Sequence, residues 1–346
     1  MRLATMTTIA AVTATLATGA LAQTPRVVME EFMAPASDAG IAIYVRNKHP
    51  AEMTTFRPER TVLFVHGSTY PAHTAFDLQL GGLSWMDYIA QHGYDVYLLD
   101  LRGYGKSTRP KEMSEKPEAN PPIVRTETAV KDVGSAVDFI LKRRNLSKLN
   151  LLGWSWGTTI MATYTTEHAD KVERLVLYAP QWIRTTAQLI QSGPGPLPAY
   201  RSVRKDQARD RWLNGVPEDK KAAVIPAGWF EQWADATWAT DPEGAKMNPP
   251  MLRAPNGTIA DTAAFWSSGK PYYDPAKVTV PTLVIGAEWD HDNPAYMRQT
   301  LFPLLVNAPG KRYVELAEGT HTILMEKNRM KLFQAVQAFL DEQGGS

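Results

Sequence analysis

Residues 148–168 read KLNLLGWSWGTTIMATYTTEH. A short apolar run (148–152) comes first, of the kind that forms a strand covered on both faces of a parallel sheet. Gly153-Trp154-Ser155-Trp156-Gly157 follows and fits the pattern G-x-S-x-G. Residues 158–168 then continue without Gly or Pro, as a helix does. A tight turn between strand and helix puts a serine hydroxyl at the carboxyl end of a sheet and at a helix N-terminus, where developing negative charge is favoured. Ser155 is therefore the candidate nucleophile.

The same alternation extends in both directions. Residues 61–65 (TVLFV), 95–101 (DVYLLDL) and 174–178 (RLVLY) read as buried strands, and 41–45 as an edge strand. Residues 83–91 have helical spacing and stop at Gly93. In 127–144, Val130, Val133, Val137, Ile140 and Leu141 fall on one helical face. Strand–helix alternation of this kind predicts an α/β fold: a mostly parallel central sheet with helices on both faces. The rhythm stops after Trp182. Pro, Gly and Trp become frequent, no strand is evident to residue 277, and helices are expected near 200–213 and 228–240. It resumes with a strand at 282–285, a helix at 294–306, a strand at 312–316 and a final helix at 326–342. The expected organisation is a core of residues 23–182 and 278–346, with a mainly helical cap inserted at 183–277.

Composition narrows the function classes. The 346 residues are 44% hydrophobic with formal net charge +1 and no long run of one sign, which points away from nucleic acid. With no cysteine, disulfides and thiolate metal sites are excluded. Residues 1–22 open with one positive charge, run through an apolar Ala/Thr-rich stretch, and end in Ala20-Leu21-Ala22 before Gln23. That is the pattern of a cleaved export signal, giving a secreted or periplasmic protein. No later segment has the length and apolarity of a membrane span.

A serine hydroxyl needs a base, and the base needs an orienting carboxylate. His321 follows the last expected strand, which puts it at the same sheet edge as Ser155. Asp290 stands where the strand 282–285 empties into a loop, with Asp292 two residues on as a competitor. The run Asp290-His291-Asp292 also suggests metal ligands, but no further His or carboxylate pattern completes a set, so neither metal nor cofactor is expected. Two backbone N–H donors are required for an oxyanion. Trp156, directly after the nucleophile, should supply one and Ser68, after His66-Gly67, the other. His66 itself reads as a packed structural residue. Trp154 and Trp156 are expected to line the substrate pocket, while most of Trp212, Trp229, Trp233, Trp238 and Trp266 fill the core of the insertion.

Together, His66-Gly67, the segment 100–107 (DLRGYGKS), Gly153-x-Ser155-x-Gly157, Gly286-x-x-x-Asp290 and Gly319-Thr320-His321 resemble the α/β-hydrolase superfamily over about residues 40–343. The resemblance implies the fold, a cap at 183–277 and a structural role for the 100–107 turn. Trp156 resembles the residue after the nucleophile in haloalkane dehalogenases, but those carry Asp where this chain has Ser155, and a serine ether has no easy hydrolytic exit. The expected chemistry is hydrolysis of a small, mostly uncharged, partly apolar or aromatic carboxylic ester. Acyl transfer to another acceptor such as peroxide, and cleavage of a lactone, amide or C–C bond, use the same triad. A small-ligand binding protein on the same scaffold is the non-enzymatic alternative.

Overall fold

A computed structural model describes residues 24–187 and 195–342; the expected export signal, 1–22, lies outside the described residues. Ten strands are present among them: β1 Val27–Pro35, β2 Ala42–Pro50, β3 Thr61–Val65, β4 Asp95–Leu99, β5 Leu149–Trp154, β6 Val172–Tyr178, β7 Tyr200–Val203, β8 Leu252–Pro255, β9 Thr282–Ala287 and β10 Arg312–Leu316. Eight form one sheet in the order β1-β2-β4-β3-β5-β6-β9-β10. β1 and β2 run antiparallel at one edge, and the six strands from β4 to β10 are parallel.

The parallel strands are apolar because both of their faces are covered. Side chains alternate along β3. Leu63 and Val65 join a core with the helices Thr126–Arg144 and Trp156–Glu167, whereas Val62 and Phe64 pack with Trp85–Gln91 and Arg329–Leu340. Local signals fix the helix ends. Ser84 and Asp87 form a reciprocal capping box, and the chain leaves that helix through Gly93 at φ 84°.

Two expectations fail here. The edge strand is β1; of the residues 41–45 expected there, 42–45 open β2, which lies between β1 and β4. β1 is half exposed and carries Glu30 and Glu31, so it lacks the apolar run of a buried strand. The insertion also contains strand: β7 pairs antiparallel with β8, Tyr200 opposite Pro255. The helix expected from residue 200 begins only at Lys205. Each of these strands is four residues long, and its partner lies on the far side of several helices, so no local turn announces the pairing.

β6 and β9 are direct neighbours although 183–277 lies between them in sequence. That segment adds the helices Lys205–Trp212, Trp229–Trp238 and Gly257–Ala264. Trp233 sits edge-on to Trp212 at 5.1 Å and to Tyr70 at 4.7 Å, which seats the insertion on the loop after β3. No helix among the described residues is long and apolar enough to cross a membrane.

Candidate active site

β5 ends at Trp154, and the helix Trp156–Glu167 starts one residue after Ser155. Ser155 bridges them at φ 58°, ψ −121°, a conformation costly for a residue with a Cβ, on the order of 1–3 kcal/mol. Its N–H donates to the Tyr178 carbonyl at 2.9 Å, which ties the turn to β6. The flanking chain comes very close. A Cβ at Gly157 would lie 2.7 Å from the carbonyl oxygens of Val65 and His66, and one at Gly67 would lie 3.0 Å from the Ser155 Cβ. Glycine is required at 157 because backbone passes there, and Gly67 leaves room for the nucleophile itself.

His321 occupies the loop after β10. Both oxygens of Asp290 lie 3.0 Å from its Nδ1. Its backbone carbonyl accepts from Trp154 Nε1 at 3.0 Å and from the Tyr178 hydroxyl at 2.7 Å, so the loop is pinned to β5 and β6. Asp290 also accepts the Asn293 N–H at 2.8 Å, and the fully buried Arg298 guanidinium stands 3.9 Å away. Asp292 takes the other side of the imidazole, 4.0 Å from Nε2, and accepts from Arg211 Nε at 2.7 Å. Burial alone would raise the Asp292 carboxyl, but Arg211 and His321 hold it below the usual range. The two aspartates therefore differ in kind. Asp290 meets Nδ1, while Asp292 is bound to an arginine of the insertion.

Ser155 Oγ lies 3.5 Å from Asn293 Nδ2 and is not hydrogen-bonded to His321, although both residues line one cavity. Such contacts tighten when substrate binds.

The backbone N–H groups of Ser68 and Trp156 have no partner among the described residues. His66 explains the first. Its Nε2 accepts the Leu101 N–H at 3.1 Å, so the proton sits on Nδ1 and is donated to the Gly67 carbonyl at 2.7 Å. A trans peptide points its N–H opposite its carbonyl. Fixing Gly67 O thus fixes the direction of the Ser68 N–H. Burial lowers the His66 imidazole to about 4, which keeps it neutral for this role. The 100–107 turn is structural as well. Asp100 accepts from the N–H groups of Ala72 and Lys106, and Arg102 forks onto Asp132.

The cavity around Ser155 has two lobes that share Ser68, Ser155, Arg211 and Asp292. One is walled by Tyr70, Trp154, Ala208, Trp212 and Trp233. The other is walled by Gln181, Arg184, Thr258, Thr262 and Asn293. Trp154 stands in the wall as expected of a pocket residue, but Trp156 does not. Its indole is fully buried beneath the helix it begins and donates to Thr126 Oγ1 at 2.8 Å. The first residue of that helix faces the neighbouring helix rather than the cavity, so sequence adjacency to Ser155 misplaced it.

Four residues of the site went unread in the sequence. Asn293 carried a signal, three residues beyond Asp290 on the same loop. Arg184 and Arg211 carried none, since the insertion alone brings them over Ser155. Glu326 is the fourth. It is buried and accepts from Trp212 Nε1 at 2.8 Å and from the Thr320 N–H at 3.1 Å, with the Thr320 hydroxyl bonded as well. It joins a cavity wall to the residue beside His321. Burial raises its carboxyl to about 7.

Comparison with known proteins agrees with this architecture. Residues 60–328 match the model of the alpha/beta hydrolase fold. A curated relative, abhydrolase domain-containing protein abhd-5.2 of Caenorhabditis elegans, is 32% identical over 85 residues, covering 25% of this chain and only 17% of the relative's own length. An esterase from Thermogutta terrifontis superposes with TM-score 0.57 at 16% identity, covering 90% of this chain and 98% of that one. The 2-hydroxy-6-oxo-6-phenylhexa-2,4-dienoate hydrolase of Rhodococcus sp. strain RHA1 does so with TM-score 0.57 at 16% identity, covering 91% and 99%. At such identities the two structures speak for the fold alone. With the family model matched over most of its length and the sheet order and serine elbow in place, the chain belongs to the alpha/beta hydrolase fold family.

Proposed function

We propose that this protein is a serine hydrolase of carboxylic esters with Ser155 as nucleophile, His321 as general base and Asp290 as the residue that orients it. One observation carries the reading: a strained serine at a helix N-terminus shares a cavity with a histidine whose Nδ1 is held by both oxygens of a buried aspartate. Ser155 Oγ attacks the ester carbonyl while its proton passes to His321 Nε2. The backbone N–H groups of Ser68 and Trp156 receive the oxyanion. As the tetrahedral intermediate collapses, the C–O bond to the alcohol breaks and His321 returns the proton to the leaving oxygen. Water, deprotonated by His321, then attacks the acyl-enzyme, frees the acid and restores Ser155.

The apolar or aromatic part of the ester fits the lobe of Tyr70, Trp154, Trp212 and Trp233, which offers large ring faces. Residues 183–277 act as a cap that closes this lobe. Export through a cleaved signal ending at Ala22 completes the reading, and the intact mass of protein from its native host tests that part. A fluorophosphonate probe with peptide mapping tests the chemistry. Label on Ser155 supports it, and an unlabelled native protein refutes it.

A further inference from the structure

The second lobe is built differently from the first. Arg184, Arg211, Gln181, Asn293, Thr258 and Thr262 line it with polar side chains, and it has little apolar wall beyond Ile259. Its charge is also unbalanced. Every Asp and Glu of the chain lies between Glu30 and Glu342, outside the stretches left undescribed. Among the described residues, none pairs with Arg184. Arg184 donates instead to uncharged oxygens, the Asp292 and Ala187 backbone carbonyls and the Thr186 and Asn293 side chains, and its buried Nε has no partner there. Asp292, the carboxylate nearest this wall, is already committed to Arg211. Arg201, behind Ser68 and Thr69, likewise bonds only to uncharged oxygens.

A half-buried guanidinium facing a cavity without a counter-ion is expensive, and unpaired buried polar atoms add to that cost. A carboxylate supplies the missing charge and an acceptor for the guanidinium, and a planar guanidinium suits a carboxylate better than any other side chain does. We infer that this lobe is an anion subsite: Arg184 takes a carboxylate carried by the substrate, while the reacting ester sits at Ser155 and any apolar part fills the tryptophan lobe. The inference rests on the ester-hydrolase reading and departs from the uncharged substrate expected from the sequence. The tryptophans revealed only one of the two lobes. Arg184 and Arg211 stand far apart in the chain and share a wall only because the insertion folds back over Asp292.

Monomethyl adipate and methyl hexanoate test this, since they match in length and differ by one terminal carboxylate. The wild type should prefer the adipate monoester in kcat/KM. Arg184→Met should collapse that preference by about 10- to 100-fold, as expected for one charge-assisted hydrogen bond. Arg184→Lys should keep part of it. No preference in the wild type, or a preference unchanged in Arg184→Met, overturns the subsite while fluorophosphonate labelling of Ser155 still upholds the hydrolase. If Ser155 does not label, calorimetric titration of monomethyl adipate and methyl hexanoate into the full chain decides the subsite by itself. Tighter binding of the adipate monoester that is lost in Arg184→Met supports it, and equal binding overturns it.

Discussion

The sheet scaffold and the insertion face each other across Ser155 but use their polar atoms differently. On the scaffold side the groups that orient the site are committed. The Ser155 N–H, the His321 carbonyl and Nδ1, both Asp290 oxygens and the Gly67 carbonyl all have protein partners at 2.7–3.0 Å. On the insertion side, Arg184 Nε and the indole N–H of Trp233 have none among the described residues. Groups fixed in advance suit a transition state, because they need no reorganisation at the moment of reaction. Groups left open suit a ligand that varies. On the proposed reading the scaffold sets rate and the insertion sets choice of substrate, and each variant below strains that division.

The largest effect belongs to Ser155→Ala. Turnover should fall on the order of 10⁴- to 10⁶-fold with an unchanged circular dichroism spectrum, leaving only what the remaining site contributes. Near-normal activity would end the serine mechanism. Asp290→Asn should come next, with kcat lowered on the order of 10⁴-fold if the imidazole loses its tautomer. Asp292→Asn should cost far less in kcat, because its partner is Arg211 rather than Nδ1. The reverse order would exchange the two roles.

Trp156→Ala should register in stability rather than in selectivity, at about 3–5 kcal/mol by denaturant titration, since it empties a buried site beneath the helix. A selective loss on aromatic esters would mean that the indole does reach the cavity.

Glu326 straddles the two regions, and its effect depends on pH. Its carboxyl stands at about 7 in the folded chain against an ordinary 4.5. Between these values the unfolded chain has lost the proton and the folded one has kept it. Stability from this group is therefore fully present below about 4.5 and lost as pH rises through about 7, an amount on the order of 3 kcal/mol. The difference in Tm between wild type and Glu326→Gln should shift against the wild type across that window. A constant difference would show that Glu326 does not titrate there. The smallest effect is that of Trp233→Ala. It should move the kcat/KM ratio of phenylacetate to acetate esters by about tenfold, through lost ring contact alone. An unchanged ratio would remove Trp233 from the acyl pocket.

The same division governs what could be read from the sequence. β3 and β10 were legible to the residue: β3 is a short apolar run rich in β-branched residues, and β10 is a short stretch closed on the N-terminal side by Pro309-Gly310 and on the C-terminal side by Gly319. Ser155, Asp290 and His321 were legible for a related reason. Each sits at, or in the loop that follows, the end of a strand, so position in the alternation fixes its place at the sheet edge. β1 was missed because an edge strand with two adjacent glutamates carries no buried run. β7 and β8 were missed because their pairing is non-local. Trp156 failed for a third reason. The turn at Ser155 reverses which way the next side chain points, and no count along the chain shows that.

The parallel pairing of β6 with β9 has a consequence for how such a chain can change. Parallel neighbours need a crossover of a dozen or more residues in any case. Once a crossover exists, the entropy of closing it grows only with the logarithm of its length, about 0.6 kcal/mol per doubling. The 183–277 segment therefore behaves as a cassette. Its length and side chains can be rewritten at small thermodynamic cost to the sheet, and a new ligand preference can arise while Ser155, Asp290 and His321 stay where they are.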